Sequence, residues 1–183
     1  MMLRRLAPFP AEKEPTALLA EIGPCLAPFA AETLEFGRRL SQRLLAAPEV
    51  RTYPDLASLG FWLRPAATQA LRRHLDGLAG DGVRRLPRGL ALHIAPANVE
   101  TLFVYSWWLS ALCGNANLVR ISERSGERTR LLLRLFNQLL AEPGFAPLAA
   151  EGYGAWGATA YLATLATGAA KTWQRDVSAS RKK

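Results

Sequence analysis

The residues best placed to do chemistry in this chain lie between positions 96 and 123, at the ends of two short apolar runs. Pro96, Ala97 and Asn98 form a turn after the first run, and function tends to sit at such turns, beyond the carboxyl end of a parallel strand. Arg120 ends the second run, where a planar guanidinium matches phosphate with two parallel hydrogen bonds. Ser122 and Glu123 follow it as a loop begins. Residue type alone leaves other uses open. Asn98 also suits an ordinary helix N-cap, its side-chain carbonyl accepting a backbone N–H of the next turn. Arg120 also suits a solvated strand-end charge, and Trp107 and Trp108 read as core rather than as a substrate face.

These residues need a frame, and the pattern from Pro87 to Glu123 supplies a nucleotide-site βαβ unit. Leu90, Ala91, Leu92, Ile94 and Ala95 form a nearly unbroken apolar run between Gly89 and Pro96, with His93 its one polar member. Such a run predicts a strand covered on both faces of a parallel sheet. Pro96 stops it, because proline donates no ladder hydrogen bond and biases Ala95 toward extended geometry. Apolar residues between Val99 and Leu112 recur at helical spacing, and Gly114-Asn115 offers a left-handed stop. Leu118, Val119 and Ile121 predict the second strand. A further helix carries Leu131, Leu132, Leu135, Phe136, Leu139 and Leu140 on one face. Upstream, Ala17–Leu26, Ala30–Ala46 and Ala66–Leu78 read as helices, with breaks at Pro54 and Gly60. The fold class is therefore α/β: an N-terminal helical region over 1–85, a partial Rossmann-like parallel sheet over 86–150, and a divergent tail over 151–183.

Three motifs resemble the acyl-CoA reductases of the bacterial luminescence type, a branch of the aldehyde dehydrogenase superfamily. The run from Ile94 to Val99, IAPANV, is similar to the superfamily's I-x-P-W-N-F turn in a form without the aromatic. Cys113 to Glu123, CGNANLVRISE, resembles its A-G-N-A-x-V-x-K-P-S-E strand and loop. Tyr53 to Arg64, YPDLASLGFWLR, resembles a segment of the branch. The likeness covers about residues 50 to 145.

The resemblance implies an aldehyde dehydrogenase fold and a reaction in which a cysteine thiolate takes the acyl group from a CoA thioester. A nicotinamide hydride then reduces the bound thioester to an aldehyde. Asn98 would point its amide at the oxyanion, donating without titrating, and losing one such donor costs about 2.7–4 kcal/mol of barrier. Pro96, Ala97, Arg120, Ser122 and Glu123 would line the cofactor. Arg120 replaces the usual Lys, which favours NADPH over NADH. Glu123 pulls the other way, since a carboxylate prefers ribose hydroxyls to a 2′-phosphate. Ile121 departs from the family's Pro. An acyl-CoA or another acyl thioester is the implied substrate, and an acyl-transfer protein an implied partner.

One part of that chemistry is missing. Cys113 takes the small-residue place before Gly-Asn and reads as a buried packing residue. Cys25 precedes every nucleotide motif, whereas the family's nucleophile comes far downstream in a second domain. The expectation is thus the N-terminal portion of a reductase, inactive alone. Trp156-Gly157-Ala158-Thr159 is faintly similar to the branch's W-G-G-D-A-T segment with residues lost, and a frameshift, deletion or truncation would each give such an end. The alternative is a non-catalytic binding module that keeps the βαβ frame.

Composition narrows the remaining classes. With 183 residues, 50% of them apolar, the chain can bury one core of ordinary size. The net charge of +8 is mostly arginine and favours anionic partners. The arginines are spread as pairs without a recognition motif or stacking aromatics, so nucleic acid is not expected. Residues 101–113 are too short an apolar stretch to span a bilayer, which needs about 20 residues. Peripheral membrane contact is the most that is expected. The first ten residues lack a signal-peptide core, which predicts a cytoplasmic protein. Two distant cysteines and two histidines give neither a disulfide framework nor a metal site.

Overall fold

The computed structural model describes residues 3–7, 11–13, 25–78, 82–96, 98–121, 126–145, 148 and 160–164. Its strands are β1 (Leu3–Ala7), β2 (Ala11–Lys13), β3 (Leu90–Ile94), β4 (Ala116–Arg120) and β5 (Ala160–Thr164). Its α-helices are α1 (Ala31–Ala46), α2 (Pro54–Trp62), α3 (Pro65–Gly77), α4 (Leu102–Leu112) and α5 (Glu127–Leu140). The class is α/β, and the sheet runs in the order β2-β1-β5-β4-β3. Strands β3, β4 and β5 are parallel; β1 runs antiparallel to both β5 and β2.

The predicted βαβ unit is present as β3, α4 and β4. Its ladder runs in register from Leu90 beside Ala116 to Ile94 beside Arg120. The helix ends where expected: Gly114 takes φ +83°, and a side chain there would overlap the Leu26 carbonyl oxygen. The close approach has a purpose. Leu26 N–H donates to Gly114 O at 3.0 Å and Phe29 N–H to Leu112 O at 2.7 Å, so residues 26–29 are strapped across the end of α4.

The core runs from the sheet through α4 and α5, which pack on it, to α1 packed against both and α2 packed against α1. Phe36 on α1 meets Trp107 on α4, Phe136 on α5 and Phe145 edge-on, at centroid distances of 5.7, 5.4 and 5.4 Å. Trp107 and Trp108 are both buried, as their reading as core requires. The apolar stripe predicted for α5 is buried along its whole length.

Four differences from expectation have physical causes. First, β3 is not covered on both faces. It is the edge strand, and Leu90, Leu92 and Ile94 are 43%, 56% and 66% exposed. The unbroken apolar run has two sources: His93 and Ala91 face α4, while the larger residues face the opposite side, which no described helix covers. Second, Gly60 does not break a helix. It sits inside α2, which Pro54 opens at its first turn. A Cβ there would lie 2.7 Å from Leu45 Cδ2, and the Gly60 carbonyl accepts the Ser41 hydroxyl at 2.7 Å, so the glycine lets α1 and α2 approach. Third, the N-terminal region is not wholly helical, since it supplies β1 and β2. Leu3 to Ala7 carries no periodic signal, and its pairing with β5 joins segments more than 150 residues apart. Fourth, the tail expected to diverge contributes β5 between β1 and β4. The helix expected at Ala17–Leu26 lies mainly outside the described residues, and Cys25 and Leu26 within it are not helical. The Trp156–Thr159 likeness lies wholly outside them.

Candidate functional site

Strand register brings the candidate residues to one end of the sheet. Ile94 stands beside Arg120 in the ladder, and Ala95 N–H donates to the Arg120 carbonyl at 3.4 Å. Paired residues share a face, so Arg120 and Leu118 lie on the open side with Ile94 and Leu92. Arg120 is half-buried, and among the described residues its guanidinium has no ion pair. A cation on an apolar bed at the carboxyl ends of parallel strands can meet an anionic group there.

Asn98 follows in the turn that leaves β3. It is exposed, and among the described residues its amide makes no hydrogen bond. Its use as an N-cap is not what the structure holds. The N-cap of α4 is Thr101, and a turn closed by Leu102 N–H to Val99 O at 3.2 Å intervenes. Pro96 is exposed beside it; Ala97, Ser122 and Glu123 lie outside the described residues.

The turn is braced by residues that sequence reading missed. Glu100, two positions after Asn98, accepts the Thr129 backbone N–H and hydroxyl, both at 3.2 Å, and Arg128 Nε at 3.2 Å. Arg128 also reaches Asp55 Oδ2 at 3.2 Å, with its guanidinium 5.2 Å from the Tyr53 ring centroid. Burial pushes the Glu100 carboxyl up, but the bonds from Thr129, Gly126 and Arg128 outweigh it and hold it below the usual carboxylate value. Those same bonds make Glu100 the cap of α5, whose own N-cap, Gly126, has no side chain to offer. No local pattern signals this, because a cap is ordinarily read from the residue next to the helix.

His93 ties the other side of β3 to its neighbours. Its Nε2 lies 2.9 Å from Asn117 Oδ1 and its Nδ1 2.6 Å from Ser106 Oγ. Asn117 donates its amide to the Asn115 carbonyl at 2.7 Å, so its oxygen faces the ring and Nε2 carries the proton. This linkage joins β3, α4 and β4.

Neither cysteine is near the turn. Cys113 caps the far end of α4, about 18 Å of helix away from Thr101. Cys25 precedes Leu26, which is bonded to Gly114 at that same far end. The expectation that Cys113 is buried is corrected: it is exposed, because the close approach of the strap falls on Gly114 instead. Among the described residues no group of His, Cys, Asp or Glu could hold a metal, and no helix is long and apolar enough to cross a membrane.

The deciding comparison covers this same frame. Residues 71–146 match the family model of acyl-CoA reductase (LuxC). The match takes in β3, the Asn98 turn, α4, β4 and α5, and the resemblance drawn from the two motifs around Asn98 and Arg120 holds over it. The Tyr53–Arg64 segment lies outside the match. No curated protein and no solved structure matches the chain.

Proposed function

We propose that the chain is the cofactor-side portion of an NADPH-dependent acyl-CoA reductase that converts an acyl thioester to an aldehyde. The observation that carries this reading is the LuxC match over the segment in which register sets Arg120 beside the strand leading to Asn98. Asn98 donates its amide to the oxyanion formed when the thioester carbonyl is attacked, and its lack of a described partner leaves it available. Arg120 grips the 2′-phosphate with its fork, while Ile94 and Leu92 provide an apolar bed. Pro96 stands at the same exposed turn, and the resemblance assigns Ala97, Ser122 and Glu123 to the cofactor as well. NADPH, when bound, supplies the hydride.

Both cysteines lie at the opposite end of α4 from Asn98, so neither serves as the thiolate at this turn, and an acyl-transfer protein in the cytoplasm is a fitting source of the acyl group. Titrating the purified chain with NADPH and NADH, by quenching of tryptophan emission, tests the reading. Tighter NADPH binding that Arg120→Ala weakens supports it. A folded chain without affinity for either cofactor overturns it. The open apolar side of β3 favours one other reading, a non-catalytic binding module on the same frame, and that result would leave it standing.

A further inference from the structure

We propose that Glu100 is a positioning residue, clamping the Asn98 turn to the N-terminus of α5 and, through Arg128, to the start of α2. The inference rests on the reading of Asn98 as the oxyanion donor. Between Ala95, which still bonds the Arg120 carbonyl, and the start of α4, the backbone bond among the described residues is the Leu102-to-Val99 turn bond. An oxyanion donor is useful only if it is held in place before reaction. Glu100 is the one side chain in this stretch with strong described bonds, and it is only 13% exposed.

The arrangement does more than cap a helix. A Ser or Asp at position 126 would cap α5 locally. This chain instead has Gly126, where a Cβ would sit 3.0 Å from Glu100 Oε1, and the carboxylate arrives from a loop on another element. The glycine leaves room for the incoming carboxylate. The same carboxylate meets Arg128, whose second arm holds Asp55 at the first turn of α2 and whose plane lies over Tyr53. Helix α5 directly, and α2 through Arg128, are thereby tied to the residue two positions from Asn98. Thr101, on its other side, is buried at 3% exposure, so the turn is anchored on that flank as well.

The test separates clamp from cap in the full chain. Glu100→Ala removes both; Glu100→Ala with Gly126→Asp restores a local cap but not the tie to the turn. Hydrogen exchange of the Leu102 amide reports the turn directly, and the NADPH dissociation constant reports its consequence. We expect Glu100→Ala to speed Leu102 exchange and to weaken NADPH roughly tenfold, equivalent to about 1.4 kcal/mol. The double variant is expected to regain the melting temperature while leaving both readouts impaired. Recovery of all three in the double variant, or unchanged Leu102 exchange in Glu100→Ala, would overturn the clamp. Glu100→Gln keeps the volume and gives a milder loss should the alanine variant not fold. If the unaltered chain binds no NADPH, the functional reading fails while the exchange result still decides the clamp.

Discussion

Ile94 and Arg120 are neighbours in the parallel ladder, so an exposed aliphatic side chain and a guanidinium without an ion pair among the described residues share the open face of the sheet. That pairing predicts how cofactor binding responds to change. Arg120→Lys keeps the charge but loses the bidentate fork, and should weaken NADPH by roughly 1–2 kcal/mol while altering NADH little. Equal losses for both cofactors would show that Arg120 does not meet the 2′-phosphate. Fluorescence titration at fixed ionic strength is the measurement.

The open face also makes a prediction about stability. Leu92 is large and apolar yet 56% exposed, so Leu92→Asn should change unfolding free energy by no more than about 0.5 kcal/mol. Leu132, at 0% exposure in the helix layer, should lose about 2–5 kcal/mol on change to Ala. Urea midpoints of the two variants are the check. A large loss at Leu92 would mean that the face is covered in solution.

Much of this frame was legible because local patterns encode it. The apolar run, the Pro96 stop, the helical spacing and Gly114 each act within a few residues, and β3, α4 and β4 follow from them. What was not legible depends on distant partners. β1 and β5 define each other across most of the chain, and neither carries a strong pattern of its own. The exposure of β3 was hidden because a run of Leu, Ala, Leu and Ile reads the same whether one face or two are covered. At the site, Asn98 and Arg120 were found through their motifs. Glu100 was not, since its partners at 126, 128 and 129 are a helix away in sequence.

Gly37 sets two effects against each other. A glycine inside an exposed helix costs about 1 kcal/mol relative to alanine, so Gly37→Ala would stabilise α1 in isolation. Here Gly37 is buried, and a Cβ would overlap the Trp108 ring, itself fully buried in the core. Neither the indole nor its packed neighbours can move far, and overpacking of this kind costs about 1–3 kcal/mol. The clash should win, lowering the thermal midpoint. A rise in the midpoint would mean that Trp108 repacks freely.

Half-buried His93 and fully buried Asn117 form a hydrogen-bonded pair whose loss should be asymmetric. Asn117 is 0% exposed, and His93 Nε2–H is its oxygen's partner. Removing the ring by His93→Ala leaves that oxygen without its donor, which costs about 1–3 kcal/mol. His93→Gln can still donate to it and should recover part of the loss. Chemical denaturation compares them, and equal destabilisation would show that the hydrogen bond contributes little beside the packing of the ring.

Glu100 gives acid stability a sign that can be worked out. Its folded carboxyl value lies below the ordinary 4.5, because the bonds from Thr129, Gly126 and Arg128 to the ionised form exceed the burial that opposes them. A lowered folded value means that the unfolded chain takes up the proton first as pH falls. The stabilisation is complete above about 4.5 and declines as pH drops through the lower folded value. The charges facing it are Arg128 on α5 and, behind that, Asp55 on α2. Subtracting the denaturation midpoints of Glu100→Gln from those of the unaltered chain isolates the Glu100 contribution. The difference should be flat from neutral pH to about 4.5 and shrink below it; a difference that grows on acidification would mean that the protonated carboxyl is the form the fold prefers.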